Sequence, residues 1–493
     1  MNCAQRLLLR LIAAAALLAP SAALAVSCIS VASGNWNATA TWESVPAGGA
    51  AGCDGANGTP AGTPGPADNV TIANGHTVTV TAAITSINVS MPTGNANTTL
   101  TVSAPLTVTG NLSVVNTTAT NNRLRMVDVN ATTLAVTGTT TITGNGNAAQ
   151  SRRAELRLTG AAAVTLNGAV TLTSNVNSRI AFTAAGTLTF NDSLSSGAGT
   201  YVGGPTGTTI FTSALATQDI GGGGAYQYLH LQVTKAAGTA RLGGDISVAG
   251  DLSVNTTFTG STTALGSFTT TFNGTAAQSM LTLGGATNTD FYRVTLNNTT
   301  AIANRTLTIN HDMTVTNLLT FTSGRILTGA AKVVIPSGST VAGASGAAAA
   351  QRFVAGRLQN FVAAGGPTVT FEVGTNGAAP AALGYSPVTF VFSGVAVGGG
   401  SFVVEPTAPA DHPQIATSGL NSALSVNRWW SATTSPQLTF LTVATPSAST
   451  TAPPAPNSVP AMMLLPSAGL AVSPSPATSA GVSSTPSGAV SLP

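Results

Sequence analysis

Fourteen acidic residues, four histidines and three cysteines are all that this 493-residue chain offers for acid–base, metal or nucleophilic chemistry. Glycoside hydrolysis needs two carboxylates about 5 to 10 Å apart, and a lyase needs a base beside a cation or a metal. Within the repeats the closest pairing along the chain is Asp245 with Asp251; Asp192, Asp219, Asp290 and Asp312 stand alone in their repeats. Single aspartates recurring beside glycine and asparagine read as turn residues, with weak calcium binding as the alternative use. His76, His230, His311 and His412 lie far apart, without the spacing of metal ligands. There is no Gly-x-Ser-x-Gly, no Cys–His pairing and no phosphate-binding glycine loop; Gly221 to Gly224 reads as a plain turn. These absences predict no enzyme, no metal and no cofactor.

Two other groups of residues remain. Cys28 and Cys53 form an even pair once Cys3 is set aside with the leader, and in an oxidising compartment they read as one disulfide, worth about 3 kcal/mol by restricting the unfolded chain. Trp36 and Trp42 either cap the first structural repeat or form a stacking platform for a sugar.

The compartment follows from the first residues. Arg6 and Arg10 form a positive n-region, Leu7 to Leu18 give an apolar h-region, Pro20 breaks the helix, and Ala23-Leu24-Ala25 supplies a small-x-small cleavage site. This is the layout of a secretory signal over 1–25, too short to span a bilayer. No later segment reads as a transmembrane span. Only 6% of residues are charged, against roughly 25% in an ordinary domain. Without the leader, fifteen basic residues face fourteen acids. Nucleic-acid binding needs a concentrated basic field, so it is not expected; the group Arg152-Arg153 with Arg157 reads as a solvated loop.

The elements that must carry these residues are strands. Thr77-Val78-Thr79-Val80, Leu106-Thr107-Val108-Thr109, Thr187-Leu188-Thr189-Phe190 and Thr306-Leu307-Thr308-Ile309 alternate with period two, the mark of half-buried strands. Units beginning at Leu106, Leu134, Val164 and Leu188 echo one another 28, 30 and 24 residues apart. A longer unit, Gln218-Asp219-Ile220 through Val248, recurs from Gln278 to Val315 at an offset of 60 to 65 that widens to 67 at its end, where Asp245 and Asp312 hold equivalent positions. One 20–30-residue unit cannot bury its apolar side alone, whereas stacked units can. The expected fold is therefore all-β: a right-handed parallel β-helix (β-solenoid), then a β-sandwich module and a disordered tail. A chain of antiparallel sandwiches is the rival. The expected divisions are the leader (1–25), a cap with first coils (26–90), β-helix repeats (91–340), a small-residue linker (341–351), a sandwich (352–445) and a Pro/Ala/Ser/Thr tail (446–493). The tail carries no charge from Pro446 onward and also fits a shifted reading frame, which resequencing the gene tests.

The stretch Ser33-Gly34-Asn35-Trp36, Thr41-Trp42, Pro66-x-Asp68-x-Val70-x-Ile72 and Gly75-His76-Thr77-Val78-Thr79-Val80 resembles the opening of bacterial exported proteins with β-helical repeats. It is similar to the start of the eight-glycine β-helical domain and to the N-termini of proteins labelled mannose-sensitive haemagglutinin (MSHA) pilus biogenesis. Thr271 to Gln278 and Phe291 to Asn298 resemble the repeats of such proteins, and Arg352-Phe353-Val354, Tyr385-Ser386-Pro387-Val388 and Asn427-Arg428-Trp429-Trp430 the module that follows them. The insert from Ala47 to Thr63 departs from the compact form. The resemblance implies an adhesin-like surface or secreted protein that contacts extracellular glycans or pilus components, without a catalytic site to carry over. A carbohydrate-active β-helix enzyme and an ice- or surface-binding solenoid are the alternatives. The latter needs threonine ladders, and the threonines do not recur at one fixed coil length.

Overall fold

The computed structural model describes most of residues 27–443, leaving out 46–52, 54–61, 118–122, 147–151, 174–176, 196–198, 224–225, 236–237, 256–266, 284–287, 348–350, 377–383, 396–397, 409, 411, 418–428 and 435–439; beyond 443 it describes 447–448, 462–463 and 489–490. The leader and nearly all of the tail lie outside the described residues.

Valine, threonine, leucine and isoleucine in alternation favour pleated backbone, and most of the strands they form here are three to five residues long. The strands stack as a β-solenoid with three parallel ladders. One runs from Ser27–Ser30 through Asn69–Thr71, Asn88–Met91, Leu112–Val115 and Thr140–Thr143 to Val170–Thr173. A bridge at Leu194, whose N–H donates to the Asp219 carbonyl, extends it to Thr217–Ile220 and Thr239–Leu242. The second runs from Gly34–Asn35 through Thr77–Val80, Thr98–Val102, Leu124–Asn130, Arg153–Thr159 and Ser178–Phe182 to Thr200–Val202 and beyond. The third runs from Ile84–Ser86 through Leu106–Val108, Thr133–Val136, Ala162–Leu166 and Gly186–Phe190 to Thr306–Ile309. From Asn69 to Val254 each coil visits the three in turn.

Inward residues make one continuous core. Val78, Leu100, Val127, Leu156, Ile180, Tyr201 and Tyr226 are successive partners in the second ladder, 21 to 29 residues apart, and all are buried. Burying each aliphatic side chain contributes about 1.5–3 kcal/mol, and no single coil could do so alone. The echoing residues Leu106, Leu134, Val164 and Leu188 are direct rung partners in the third ladder. Midway the core turns aromatic: Phe190 stacks on Phe211 at 4.8 Å, and Tyr201 lies 4.6 Å from Tyr228.

Three details differ from the sequence reading. The 60–65-residue repeat does not return to the same ladder: Gln218 lies in Thr217–Ile220, paired with Thr239–Leu242, whereas Gln278 lies in the third ladder. The repeat is not a whole number of coils, so its copies are rotated by one ladder. Gly221 to Gly223 is no loose turn either, and Gly224 lies outside the described residues. A Cβ on Gly222 would sit 2.3 Å from the carbonyl oxygen of Gly244, so two coils touch there backbone to backbone. Finally, 341–351 does not separate the solenoid from the sandwich. Arg325–Ile335 pairs in parallel with Val354–Val362, whose other edge pairs antiparallel with Gly400–Thr407, which in turn pairs with Trp429–Thr434. The opposing layer is Thr368–Phe371, Val388–Val395 and Phe440–Val443. Phe402 meets Phe371, Phe390 and Phe392 edge-on between the layers. Direct continuation covers a parallel edge that would otherwise template association.

Candidate functional site

At the N-terminal end, Trp42–Val45 folds back antiparallel on Ser27–Ser30 and closes the first ladder. Trp36 is 0% and Trp42 6% exposed; their rings meet edge-on at 5.1 Å, and Trp42 Nε1 donates to the Trp36 carbonyl at 2.7 Å. Neither ring offers a free face, so in this conformation the pair packs the end of the core. Cys28 and Cys53 are joined, with Cα atoms 5.7 Å apart. Asp68 closes a turn by accepting the Gly65 N–H at 2.8 Å, and His76 Nδ1 lies 2.9 Å from Ser30 Oγ.

Three of the aspartates brace the following coil, whereas Asp219 and Asp290 lie within strands. Asp245, Asp251 and Asp312 accept the backbone N–H groups of Thr269, Ser279 and Lys332 in the following coil, at 2.7, 2.8 and 3.0 Å. Asn88 and Asn111 do the same for Asn111 and Thr139. Asp245 and Asp312 therefore share a task. Among the described residues, no three of His, Cys, Asp and Glu gather as a metal site requires, and no helix is long and apolar enough to cross a membrane.

The outer surface carries two organised patterns. On the first ladder, Thr71, Ser90, Ser113, Thr141 and Thr171 are successive partners and form an unbroken column of hydroxyls. Variable coil length does not prevent this, because strand pairing sets the register and the corners absorb the surplus residues.

On the second ladder the pattern is charge. Ala154, Leu156 and Leu158 point into the core, so Arg153, Glu155, Arg157 and Thr159 point outward. Glu155 sits opposite Arg179, and Arg157 opposite Asp128. Arg157 Nε donates to Glu155 Oε1 at 2.8 Å, and Thr159 Oγ1 donates to Asp128 Oδ1 at 2.7 Å. The expected solvated loop at Arg152-Arg153-Arg157 is thus a strand: Arg152 is buried, Arg153 opens the strand and Arg157 is ion-paired. The acids missed by linear spacing are Asp128 and Glu155, 27 residues apart yet on adjacent rungs. Extending the 28- and 30-residue echoes to the neighbouring strands would have found them.

A scan of protein families, a search of curated proteins and a search of solved structures each returned no match to this chain.

Proposed function

We propose that the chain is an exported surface protein whose solenoid is a stiff spacer with a polar, adhesive exterior, and that it is not an enzyme. The observation that carries this reading is the second ladder, which pairs rung on rung from Gly34–Asn35 to Thr340–Ala342. A body hydrogen-bonded to itself above and below at each step has no hinge along its length. Both ends are finished by antiparallel strands, which favours a single rod over an open-ended filament. The secretory layout of 1–25 and the scarcity of charge support display outside the cell, against glycans or pilus components. Immunolabelling of intact cells, paired with protease shaving, tests it: the solenoid should be labelled and shaved without lysis. A product found only in the cytoplasm would sink the reading. Release of oligosaccharides from a polymer panel by the purified protein would reinstate an enzyme.

A second reading is favoured by the hydroxyl column from Thr71 to Thr171. Hydroxyls repeated at about 4.8 Å suit an ordered lattice such as ice, and thermal hysteresis by the purified protein is the discriminating measurement.

A further inference from the structure

The chain's few charges are not spread evenly. Between Arg123 and Arg179 lie six arginines and two acids, an excess of four positive charges, whereas the whole chain balances at +3. The folded ladder concentrates them further. Arg153, Arg157 and Arg179 are three of the four outward neighbours of Glu155, Met126 of the preceding coil being the fourth: two of the arginines lie along its own strand and one lies directly across in the next coil. Neighbours along a strand on one side are about 6.6 Å apart and neighbours across rungs about 4.8 Å, so the three arginines form a ring of positions around one glutamate, of which Arg157 makes the ion pair.

Glu155 is only 1% exposed; its Oε1 takes Arg157, and its Oε2 is buried without a partner among the described residues. One carboxylate cannot neutralise three arginines. Asp128 is partly occupied by Thr159 on the far side of Arg157. Arg153 is exposed, and Arg157 and Arg179 are partly so. The ring is flanked by Thr99 and Thr101 two rungs below, and by Thr183 and Thr200 above.

We infer that this outward face of Leu124–Asn130, Arg153–Thr159 and Ser178–Phe182 is a binding site for an acidic polysaccharide, in which Arg153, Arg157 and Arg179 take the uronate carboxylates and the flanking threonines take sugar hydroxyls. A guanidinium presents a planar fork of donors that matches a carboxylate bidentately, and such charge-assisted bonds are about twice as strong as neutral ones. Glu155 is a positioning residue, holding the Arg157 fork in place. A nucleic acid is the less suitable polyanion, because the outward positions here carry no aromatic side chain on which bases would stack. The site concerns what the purified protein binds, and so it stands or falls separately from where the protein is displayed.

Titration calorimetry of the full-length protein with oligogalacturonate tests the site, with neutral dextran oligomers and single-stranded DNA as comparators. The expected result is oligogalacturonate binding that weakens as salt rises and falls at least tenfold in both Arg157→Gln and Arg179→Gln. Arg241→Gln, which removes an exposed pair with Asp219 elsewhere on the rod, should bind as wild type. Should either core-strand variant fail to fold, Arg153→Gln at the exposed strand start replaces it, with a several-fold loss expected. No measurable oligogalacturonate binding, equal binding by the wild type and the arginine variants, or tighter binding of DNA each overturns the inference.

Discussion

Replacing Gln278 with leucine removes a brace between coils, and the structure sets the size of the effect. Gln278 is 1% exposed; its Nε2 donates to the carbonyls of Val248 and Gly250, both at 2.8 Å, and its Oε1 accepts the Gly274 N–H at 2.9 Å. Leucine has a similar volume but leaves the Gly250 carbonyl and the Gly274 N–H without that partner, while the Val248 carbonyl keeps only the Asn273 N–H at 3.1 Å. At roughly 1–3 kcal/mol for each unsatisfied group, and with incomplete additivity, Gln278→Leu should cost about 3–5 kcal/mol. Gln218 is the rotated counterpart. Its Nε2 donates to the carbonyls of Phe190 and Asp192, both at 3.0 Å, while its Oε1 is buried without a partner among the described residues. Gln218→Leu loses two bonds and relieves one orphaned oxygen, so about 1–3 kcal/mol is expected. Urea unfolding followed by far-ultraviolet circular dichroism reads both, with Gln232→Leu on the outward side as the control. If Gln218→Leu proves the costlier change, or if both fall within experimental error of wild type, the brace assignment is wrong.

Further outcomes follow from the same contacts. His311 is buried, its Nε2 lies 2.6 Å from Thr289 Oγ1, and desolvation pushes its pKa below the ordinary histidine value against a smaller upward pull from Asp312. A depressed histidine stabilises the fold above its unfolded pKa, and that stability drains away as pH falls through the folded value. Thermal melts of His311→Gln should therefore lose less stability on acidification than wild type. Cys28→Ser combined with Cys53→Ser should cost about 3 kcal/mol, and reductant should lower the melting temperature of wild type but leave the variant's unchanged. Trp36→Ala should cost about 3–5 kcal/mol in urea unfolding. Unchanged stability together with loss of glycan-array binding would instead return the tryptophans to a sugar platform.

Much of the solenoid was legible because its two signals are local. Alternation at Thr77 to Val80 needs only neighbours, and the echo from Leu106 to Leu188 needs only one coil length. The longer echo misled, since Gln218 and Gln278 keep the same corner task while the chain between them stops short of a full turn. The charged ring was hidden for a related reason. Asp128, Glu155 and Arg179 are unremarkable in linear order and become neighbours only when strands of unequal coil length are brought into register. The tryptophans show the reverse limit: sequence marks them as important, but burial decides that Trp36 packs inward. The fusion of solenoid and sandwich turns on which edge Val354–Val362 offers to Gly400–Thr407, and no composition shift at 341–351 carries that information.

The direction of the ladder bonds has a mechanical consequence. They point from rung to rung, so tension between the two ends loads them one layer at a time instead of shearing many together. From Val127 to its rung partner Leu156 is 29 residues, and a fully extended chain of that length spans about 100 Å, against about 4.8 Å when stacked. A tethered molecule pulled along its length would therefore surrender layers singly, each yielding a large slack at modest force. Layer-by-layer release of this kind caps the peak force that can pass from one end of the solenoid to the other.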